Sequence, residues 1–120
     1  MQHEAPEMPY QSTPWQLVAK LHVSSTDHRV RKTHADSFYK TDLAAILDEL
    51  TISDIEICGA EVPFCVDATI KAGFDHGYRI WMVPGAVSMV AKAQPLIPEG
   101  TLLTHYARIW RDRFLTYVDE

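Results

Sequence analysis

The stretch that decides the fold reads Ile55-Glu56-Ile57-Cys58-Gly59-Ala60-Glu61-Val62-Pro63-Phe64-Cys65-Val66-Asp67-Ala68-Thr69. The alternation at its start predicts a short strand over Ile55–Cys58, and Gly59 is a turn signal. From Val66 onward, small and apolar residues recur on one side of a predicted helix. Cys65 is therefore expected where a strand and its loop pass into the N-terminus of a helix.

A cysteine at a helix N-terminus can act as a nucleophile. The unpaired backbone N–H groups and the positive end of the helix dipole favour a thiolate there. Cys65 is accordingly a candidate nucleophile. The alternative is an inert residue, since free cysteines are commonly buried as small hydrophobic side chains.

Composition limits the classes of protein to which this chain can belong. Its 120 residues leave room for one modest domain, and a hydrophobic content of 47% is ample for a packed core. The formal charge is −5, and the basic residues are scattered apart from a short Arg29–Lys32 cluster. We therefore expect no nucleic-acid partner.

The two cysteines and the hydropathy pattern indicate which cofactors and which cellular location to expect. Cys58 and Cys65 make a poor disulfide framework, and their spacing fits no usual zinc signature, so we expect neither a metal nor another cofactor. No apolar run is long enough to span a bilayer, and no basic region followed by an apolar one opens the chain. A cytoplasmic protein without a membrane partner is the expectation.

The rest of the chain alternates predicted strands and helices. Strands are expected over Asp27–Lys32 and Arg79–Val83, and Gly77 is expected to end the helix that follows Cys65. Between the first two strands, Thr41 is a plausible N-cap for a helix with a core-facing row formed by Leu43, Ile46, Leu47 and Leu50. The remaining predictions are a loop over Met1–Pro14, a helical turn over Trp15–Leu21, a short helix near Ala86–Ala93 and an amphipathic helix over Thr101–Val118.

Such a β-α-β-α-β-α order predicts an α/β fold, a three-layer Rossmann-like parallel sheet with helices on both faces. Lys32 closes the first predicted strand, and the Gly59–Cys65 loop closes the second. Because ligands bind at the carboxyl ends of parallel strands, both are expected at one edge of the sheet. A lysine ammonium near Cys65 would favour the thiolate. The alternative for Lys32 is a solvated surface side chain.

Two segments carry a resemblance to a known family. The residues from Gly59 to Thr69 resemble the nucleophile segment of the isochorismatase-like cysteine hydrolases, G-x-x-T-x-x-C-V-x-x-T, with Val62 in place of the threonine. Upstream, a second block resembles the lysine segment of the same family, Lys32-Thr33-His34-Ala35-Asp36-Ser37-Phe38-Tyr39-Lys40-Thr41-Asp42-Leu43. The two blocks agree with the family in order and spacing.

The resemblance implies roles for particular residues. The family uses a cysteine nucleophile, a lysine and a general-base aspartate, and Cys65 and Lys32 match the first two. Its oxyanion hole would be formed here by the backbone N–H groups of Glu61 and Cys65, with a cis peptide between Ala60 and Glu61. The resemblance also places two aromatic side chains in a substrate pocket, with core packing as the alternative for both, namely Phe38 and Phe64.

The reaction implied is attack by the thiolate on a carbonyl, in a small amide or a related C–N bond, through an acyl-enzyme that water hydrolyses. Some members of the family cleave a vinyl ether without this route, so the bond is left open. The resemblance further implies a small-molecule substrate and a homo-oligomer.

The chain departs from the family at the general base. The family's aspartate lies on a first strand that has no counterpart here, so the resemblance implies a partial hydrolase domain over residues 1–120, incomplete at the N-terminus. Pro84-Gly85 also replaces a common D-A pair. Three carboxylates lie near the matching blocks, but each has a structural explanation in a loop, a first helical turn or a helix surface: Asp36, Asp42 and Asp67.

Three hypotheses follow from these observations. The first is an isochorismatase-like cysteine hydrolase, and the second is a catalytically silent member of that family that serves as a binding or assembly module. The absent aspartate is the main support for the second. The third and weakest is a metal site built from Cys58, Cys65 and histidines such as His34 or His76.

Overall fold

The computed structural model describes residues 1–90 and 96–119. Its strands are β1 (Gln2–His3), β2 (Arg31–Lys32), β3 (Asp54–Glu56), β4 (Gly59–Ala60), β5 (Arg79–Met82), β6 (Val87–Ser88) and β7 (Thr116–Tyr117). Its α-helices are α1 (Leu43–Glu49), α2 (Asp67–Asp75) and α3 (Glu99–Trp110). A 3₁₀ turn spans Thr13–Trp15, and a π-helical turn over Val62–Val66 runs directly into α2.

All of the ladders between these strands are parallel. β1 pairs with β2, β5 lies between β3 and β7, and β4 pairs with β6. Parallel strands joined through helices confirm the predicted α/β class. The described strands form three short sheets.

The core lies between the three-stranded sheet and the helices packed on it. Along β5, Ile80 and Met82 are buried while Arg79 and Trp81 are exposed, as expected for a strand with one covered face. Gly73 allows α2 to lie close to that face, since a Cβ there would stand 3.1 Å from the Ile80 side chain. The buried apolar cluster consists of Val62, Val66, Ile70, Ile80, Met82, Met89, Leu102, Trp110 and Leu115.

Several predicted elements are confirmed with small shifts. The strand expected over Ile55–Cys58 begins one residue earlier as β3, and the strand expected over Arg79–Val83 is β5. The helix after Cys65 ends at Asp75, and Gly77 follows with a φ of +95°, a conformation that glycine adopts without strain. The predicted N-cap Thr41 is displaced by one residue, since Asp42 holds the N-cap position of α1 and the Thr41 hydroxyl accepts the Leu43 N–H at 3.3 Å.

The predicted core face of α1 is wrong in part. No residue of α1 is fully buried, and Leu50, just past its end, is 48% exposed. Leu43 and Leu47 instead line an open cavity. Helical periodicity located the apolar row correctly, but it could not show that this row borders a cavity.

The C-terminal helix is shorter than predicted. It ends at Trp110, and Asp112 takes a φ of +58° in the turn that follows, a conformation that aspartate tolerates better than most residues. The chain then enters β7, where Thr116 and Tyr117 pair with Trp81 and Met82. The apolar pattern continued past Trp110 because these later side chains pack on the same core from a strand.

Other local predictions are also corrected. In place of a helix near Ala86–Ala93, residues 87–88 form β6, because Val87 pairs with Gly59 across a parallel ladder; residues 91–93 lie outside the described residues. The strand predicted over Asp27–Lys32 is confined to β2. The predicted turn over Trp15–Leu21 is displaced to the 3₁₀ turn, where Pro14 fixes a helical φ, and the predicted N-terminal loop contains β1.

Within the described ranges, no helix is both long and apolar enough to cross a membrane.

The exposed face of the three-stranded sheet carries a polar network centred on Asp54. Its carboxylate accepts hydrogen bonds from the Arg79 guanidinium, at 2.7 Å from Nε, and from the Trp81 indole N–H, at 3.1 Å. The Arg79 bond first and the Trp81 bond second hold the pKa of Asp54 well below its usual range. The network therefore stabilises the fold only while Asp54 is ionised.

This network predicts an acid-dependent loss of stability. The pKa of Asp54 is depressed in the folded state, so its contribution is complete above the unfolded value of about 3.9 and is lost as pH falls through the lower folded value. We expect urea unfolding midpoints to fall less between pH 5 and pH 2 for Asp54→Asn than for the wild type, by an amount that shrinks in about 1 M salt. Asp48→Asn, on the exposed side of α1, is the control. Equal slopes for wild type and Asp54→Asn would contradict the expectation.

Candidate active site

A cavity of about 480 Å³ lies between β1, β2, β3 and the end of the π-helical turn. Lys32 and Cys65, predicted to meet at one edge of the sheet, both line it. The remaining lining residues are Met1, His3, Ser37, Phe38, Leu43, Leu47, Ile55, Glu56, Ile57, Cys58, Gly59, Ala60, Val66 and Thr69.

Cys65 is the fourth residue of the π-helical turn and is partly buried. The π-helical turn continues directly into α2, so Cys65 lies in the first turns of this longer helical segment, near its positive end. The Glu61 carbonyl accepts the N–H groups of Phe64 and Val66, both at 3.1 Å. Neither bond uses the N–H of Glu61 or of Cys65, the two groups assigned above to an oxyanion hole.

The peptide bond between Ala60 and Glu61 is cis. This is the bond for which the family resemblance implies a cis peptide. It joins β4 to the π-helical turn, and β4 is itself fixed by pairing with β6.

Lys32 is a buried residue at the end of β2, with only 4% of its surface exposed. The alternative of a solvated surface lysine is therefore wrong. Its Nζ lies 3.2 Å from Nδ1 of His3. Because β1 and β2 are paired in a register that sets His3 beside Lys32, the contact is fixed by the backbone.

His3 is a site residue that sequence reasoning missed. Burial first and the Lys32 charge second lower the pKa of His3 below its usual value, which favours the neutral imidazole. Nothing in the local sequence marks this residue, because its partner is 29 positions away. Only the two-residue ladder between β1 and β2 brings the pair together.

One hydroxyl connects the loop that follows β2 to α2. Thr69, on α2, accepts the Ser37 N–H at 3.0 Å. Its own hydrogen lies within reach of the Ser37 hydroxyl at 3.0 Å and the Ala35 carbonyl at 3.4 Å. The two sequence blocks that carry the family resemblance are thereby joined in space.

The two predicted pocket aromatics lie in different environments. Phe38 lines the cavity, is 7% exposed, and stacks on His76 and Tyr78 with ring centroids 4.8 and 5.6 Å away. Phe64 is not placed in the cavity and is 45% exposed. The reason is helical geometry, since Val62 and Val66 of the same turn face the core and Phe64 lies on the opposite side.

The carboxylates near the matching blocks have structural partners. Asp36 accepts the Phe38 N–H at 2.8 Å, and Asp67 accepts the Trp110 indole N–H at 2.8 Å and the Lys71 ammonium at 2.9 Å. Asp42 precedes α1 and is exposed. The carboxylate that does line the cavity is Glu56, on β3, which sequence reasoning did not single out.

The residues of the metal-site hypothesis do not come together. Cys58 and Cys65 line the cavity, but His34 and His76 are absent from its lining. His34 instead contacts the Thr33 hydroxyl at 2.9 Å. Among residues 1–90 and 96–119, no group of three or more histidine, cysteine, aspartate or glutamate side chains could hold a metal ion.

Comparison with known proteins assigns the chain to a family. A family model for the isochorismatase domain matches residues 1–94. The chain belongs to the isochorismatase family. The crystal structure of an isochorismatase family protein is 38% identical, covers 98% of this chain and 70% of its own, and superimposes with a TM-score of 0.95.

More distant members of the isochorismatase family show the same fold or a shorter match. A cysteine hydrolase from Pseudomonas syringae pv. phaseolicola is 18% identical with a TM-score of 0.83, covering 91% of this chain and 53% of its own. Streptothricin hydrolase from Streptomyces noursei is 33% identical over 66 residues, which are 55% of this chain and 24% of the relative. The match thus spans about a quarter of that curated relative's length.

Proposed function

We propose that this chain is a cysteine hydrolase of the isochorismatase family that cleaves a small amide or a related C–N bond through a thiolate on Cys65. The observation that carries the proposal is the joint presence of the buried Lys32 and the half-buried Cys65 on one cavity. A buried ammonium stabilises a nearby anion strongly, because little water screens it. The helix start adds to the same effect.

The proposed reaction begins with attack of the Cys65 sulfur on the carbonyl carbon, which forms a C–S bond and a tetrahedral oxyanion. The backbone N–H groups of Glu61 and Cys65 are proposed to bind that oxyanion. Collapse breaks the C–N bond, the amine leaves with the proton that the Cys65 thiol gave up on ionising, and an acyl thioester stays on the sulfur. A water molecule then adds its hydroxyl to the acyl group and returns a proton to the sulfur.

The proton transfers need an acceptor in the cavity. Glu56 is the carboxylate that lines it, and it is exposed rather than buried. A positioned general base contributes about 10²–10⁴-fold to such reactions. We therefore expect slow turnover unless the Glu56 carboxylate is brought into reach of the attacking water.

A catalytically silent family member that binds or assembles is the second candidate. The observation favouring it is that Asp36 and Asp67 are hydrogen-bonded elsewhere, which leaves the solvent-exposed Glu56 as the carboxylate of the cavity. The two candidates differ in whether an acyl group placed on Cys65 is released.

Reaction with p-nitrophenyl acetate separates the two. For the hydrolase we expect a burst of p-nitrophenol, an acetyl group on Cys65 found by peptide mass spectrometry, and continued release after the burst. Cys65→Ala should abolish the burst, while Cys58→Ser tests whether the second thiol of the cavity contributes. An acetyl group that stays on the sulfur without turnover would favour the silent module, and equal acetylation of both cysteines would contradict a selective nucleophile.

The name of the Streptomyces noursei relative, streptothricin hydrolase, supports hydrolysis as the type of reaction. As part of the same proposal, we infer that the substrate of this chain is a small molecule. The assignment of residues 1–120 to a partial hydrolase domain, a cytoplasmic location and a homo-oligomeric state stay predictions.

A further inference from the structure

We propose that His3 is a positioning residue, whose neutral imidazole accepts a hydrogen bond from Lys32 and so holds the ammonium at the cavity that Cys65 lines. The inference rests on the proposed function. It adds a residue that neither the sequence motifs nor the family roles stated above include.

The backbone fixes the pair before any side-chain contact is considered. The Gln2 N–H donates to the Val30 carbonyl at 2.9 Å, and the Glu4 N–H donates to the Lys32 carbonyl at 2.7 Å. The ladder pairs His3 with Lys32, and paired residues of adjacent strands project on the same side of a sheet. Both side chains line the cavity.

His3 supplies a hydrogen-bond acceptor to the buried Lys32 ammonium. Over residues 1–90 and 96–119, the ion pairs join Arg31 to Glu4, Lys71 to Asp67 and Arg79 to Asp54, and none includes Lys32. Its hydrogen-bond partner in these ranges is Nδ1 of His3, at 3.2 Å. A buried ammonium without an acceptor is strongly unfavourable, so this bond decides where the Nζ group stays.

An imidazole can play this part only in one form. Lys32 offers donors and no acceptor, so Nδ1 must be unprotonated and the proton of the neutral ring must lie on Nε2. Burial and the Lys32 charge both disfavour the imidazolium. The other charged groups that act on His3 have opposite signs, with two carboxylates favouring protonation and one imidazole opposing it: Glu7, Glu4 and His34.

Protonation of His3 would remove the acceptor and place two cations side by side. Lys32 would then be displaced from Nδ1, and the thiolate would lose its neighbour. The reactivity of Cys65 should therefore fall with pH more steeply than ionisation of one thiol alone requires. The slope of log rate against pH is expected to exceed one on the acidic side, over the range in which His3 becomes protonated, because protonation of two groups then lowers one rate.

Two matched substitutions test the role. In His3→Asn the amide oxygen stands where Nδ1 stands, whereas in His3→Gln the side chain is one methylene longer and its oxygen is displaced. Alkylation of Cys65 by iodoacetamide, resolved by peptide mass spectrometry from pH 5 to pH 9, should slow about tenfold at pH 7 in His3→Gln. It should stay within about twofold of wild type in His3→Asn, with an acidic slope of about one.

His28→Asn, in an exposed loop, is the matched control and should leave rate and slope unchanged. Circular dichroism of each variant checks that it folds. ¹⁵N NMR of the histidine side chains gives a second readout, with Nε2–H and unprotonated Nδ1 expected for His3 at neutral pH.

The outcomes separate this inference from the function on which it rests. Either a wild-type alkylation rate in His3→Gln or an Nδ1–H tautomer of His3 would overturn the role of His3. If Lys32→Ala still slows alkylation of Cys65 in that case, the hydrolase proposal stands. Equal and slow alkylation of Cys58 and Cys65 in the wild type would overturn both.

Discussion

Replacing Lys32 with alanine is expected to slow alkylation of Cys65 at neutral pH by about 10–100-fold. Lys32 and Cys65 line the same cavity, and a cation close to a cysteine favours its nucleophilic, anionic form. Lys32 is 4% exposed, so its ammonium acts across a part of the protein that water screens little. The measurement is the second-order rate constant for iodoacetamide at each cysteine, obtained from digested samples at a series of times.

Two controls make the Lys32 result specific. Lys20→Ala removes an exposed lysine from the N-terminal region and should leave the Cys65 rate unchanged. The Cys58 rate, measured in the same samples, reports any general opening of the fold. A Cys65 rate that is equal in wild type and Lys32→Ala would mean that the ammonium does not support the thiolate.

Trp110→Ala is expected to lower the free energy of unfolding by about 3–5 kcal/mol. Trp110 ends α3, is 1% exposed, and donates its indole N–H to Asp67 at the start of α2. The substitution removes a large buried side chain and leaves a partly buried carboxylate oxygen without its donor. Urea unfolding followed by circular dichroism gives the change.

Graded variants separate packing from hydrogen bonding at this position. Trp110→Phe keeps most of the apolar contact and loses the indole N–H, so a smaller loss of about 1–2 kcal/mol is expected. Trp81→Phe makes the same change at an indole that is 36% exposed and also donates to an aspartate. A loss at Trp81 as large as that at Trp110 would show that burial is not the deciding factor.

Local patterns predicted the centre of this fold and failed at its margins. Ile55 and Gly77 mark a strand and a helix end through the residues themselves, and both are found where expected. The turn predicted at Gly59 is wrong, because Gly59 opens β4 with a φ of +124°. The strands β1, β6 and β7 are two residues long, too short to show a periodicity of two. They exist because distant segments pair with them, and no local propensity records such pairing.

In the candidate site, too, sequence patterns predicted some residues and missed others. Lys32 and Cys65 stand at the ends of predicted elements and within matching motifs, so sequence placed both at one edge of the sheet. Both residues line one cavity, but Lys32 lies in the β1–β2 sheet while Cys65 follows β4, so the shared sheet edge stays a prediction. Sequence reasoning missed His3 and Glu56, because strand pairing and the shape of the cavity place them there and both depend on the folded chain. Phe64 was misplaced because a motif position does not state which side of a helical turn faces the cavity.

The hydroxyl of Thr69 has a mechanical consequence. It is hydrogen-bonded to the loop around Ser37, so this loop is held against α2. The end of β2, which carries Lys32, is therefore connected to the helical segment that carries Cys65. Backbone amides on the two sides should then exchange with solvent deuterium as one cooperative unit rather than as independent segments. Thermal unfolding that detaches this loop from α2 is then expected to displace Lys32 and Cys65 together.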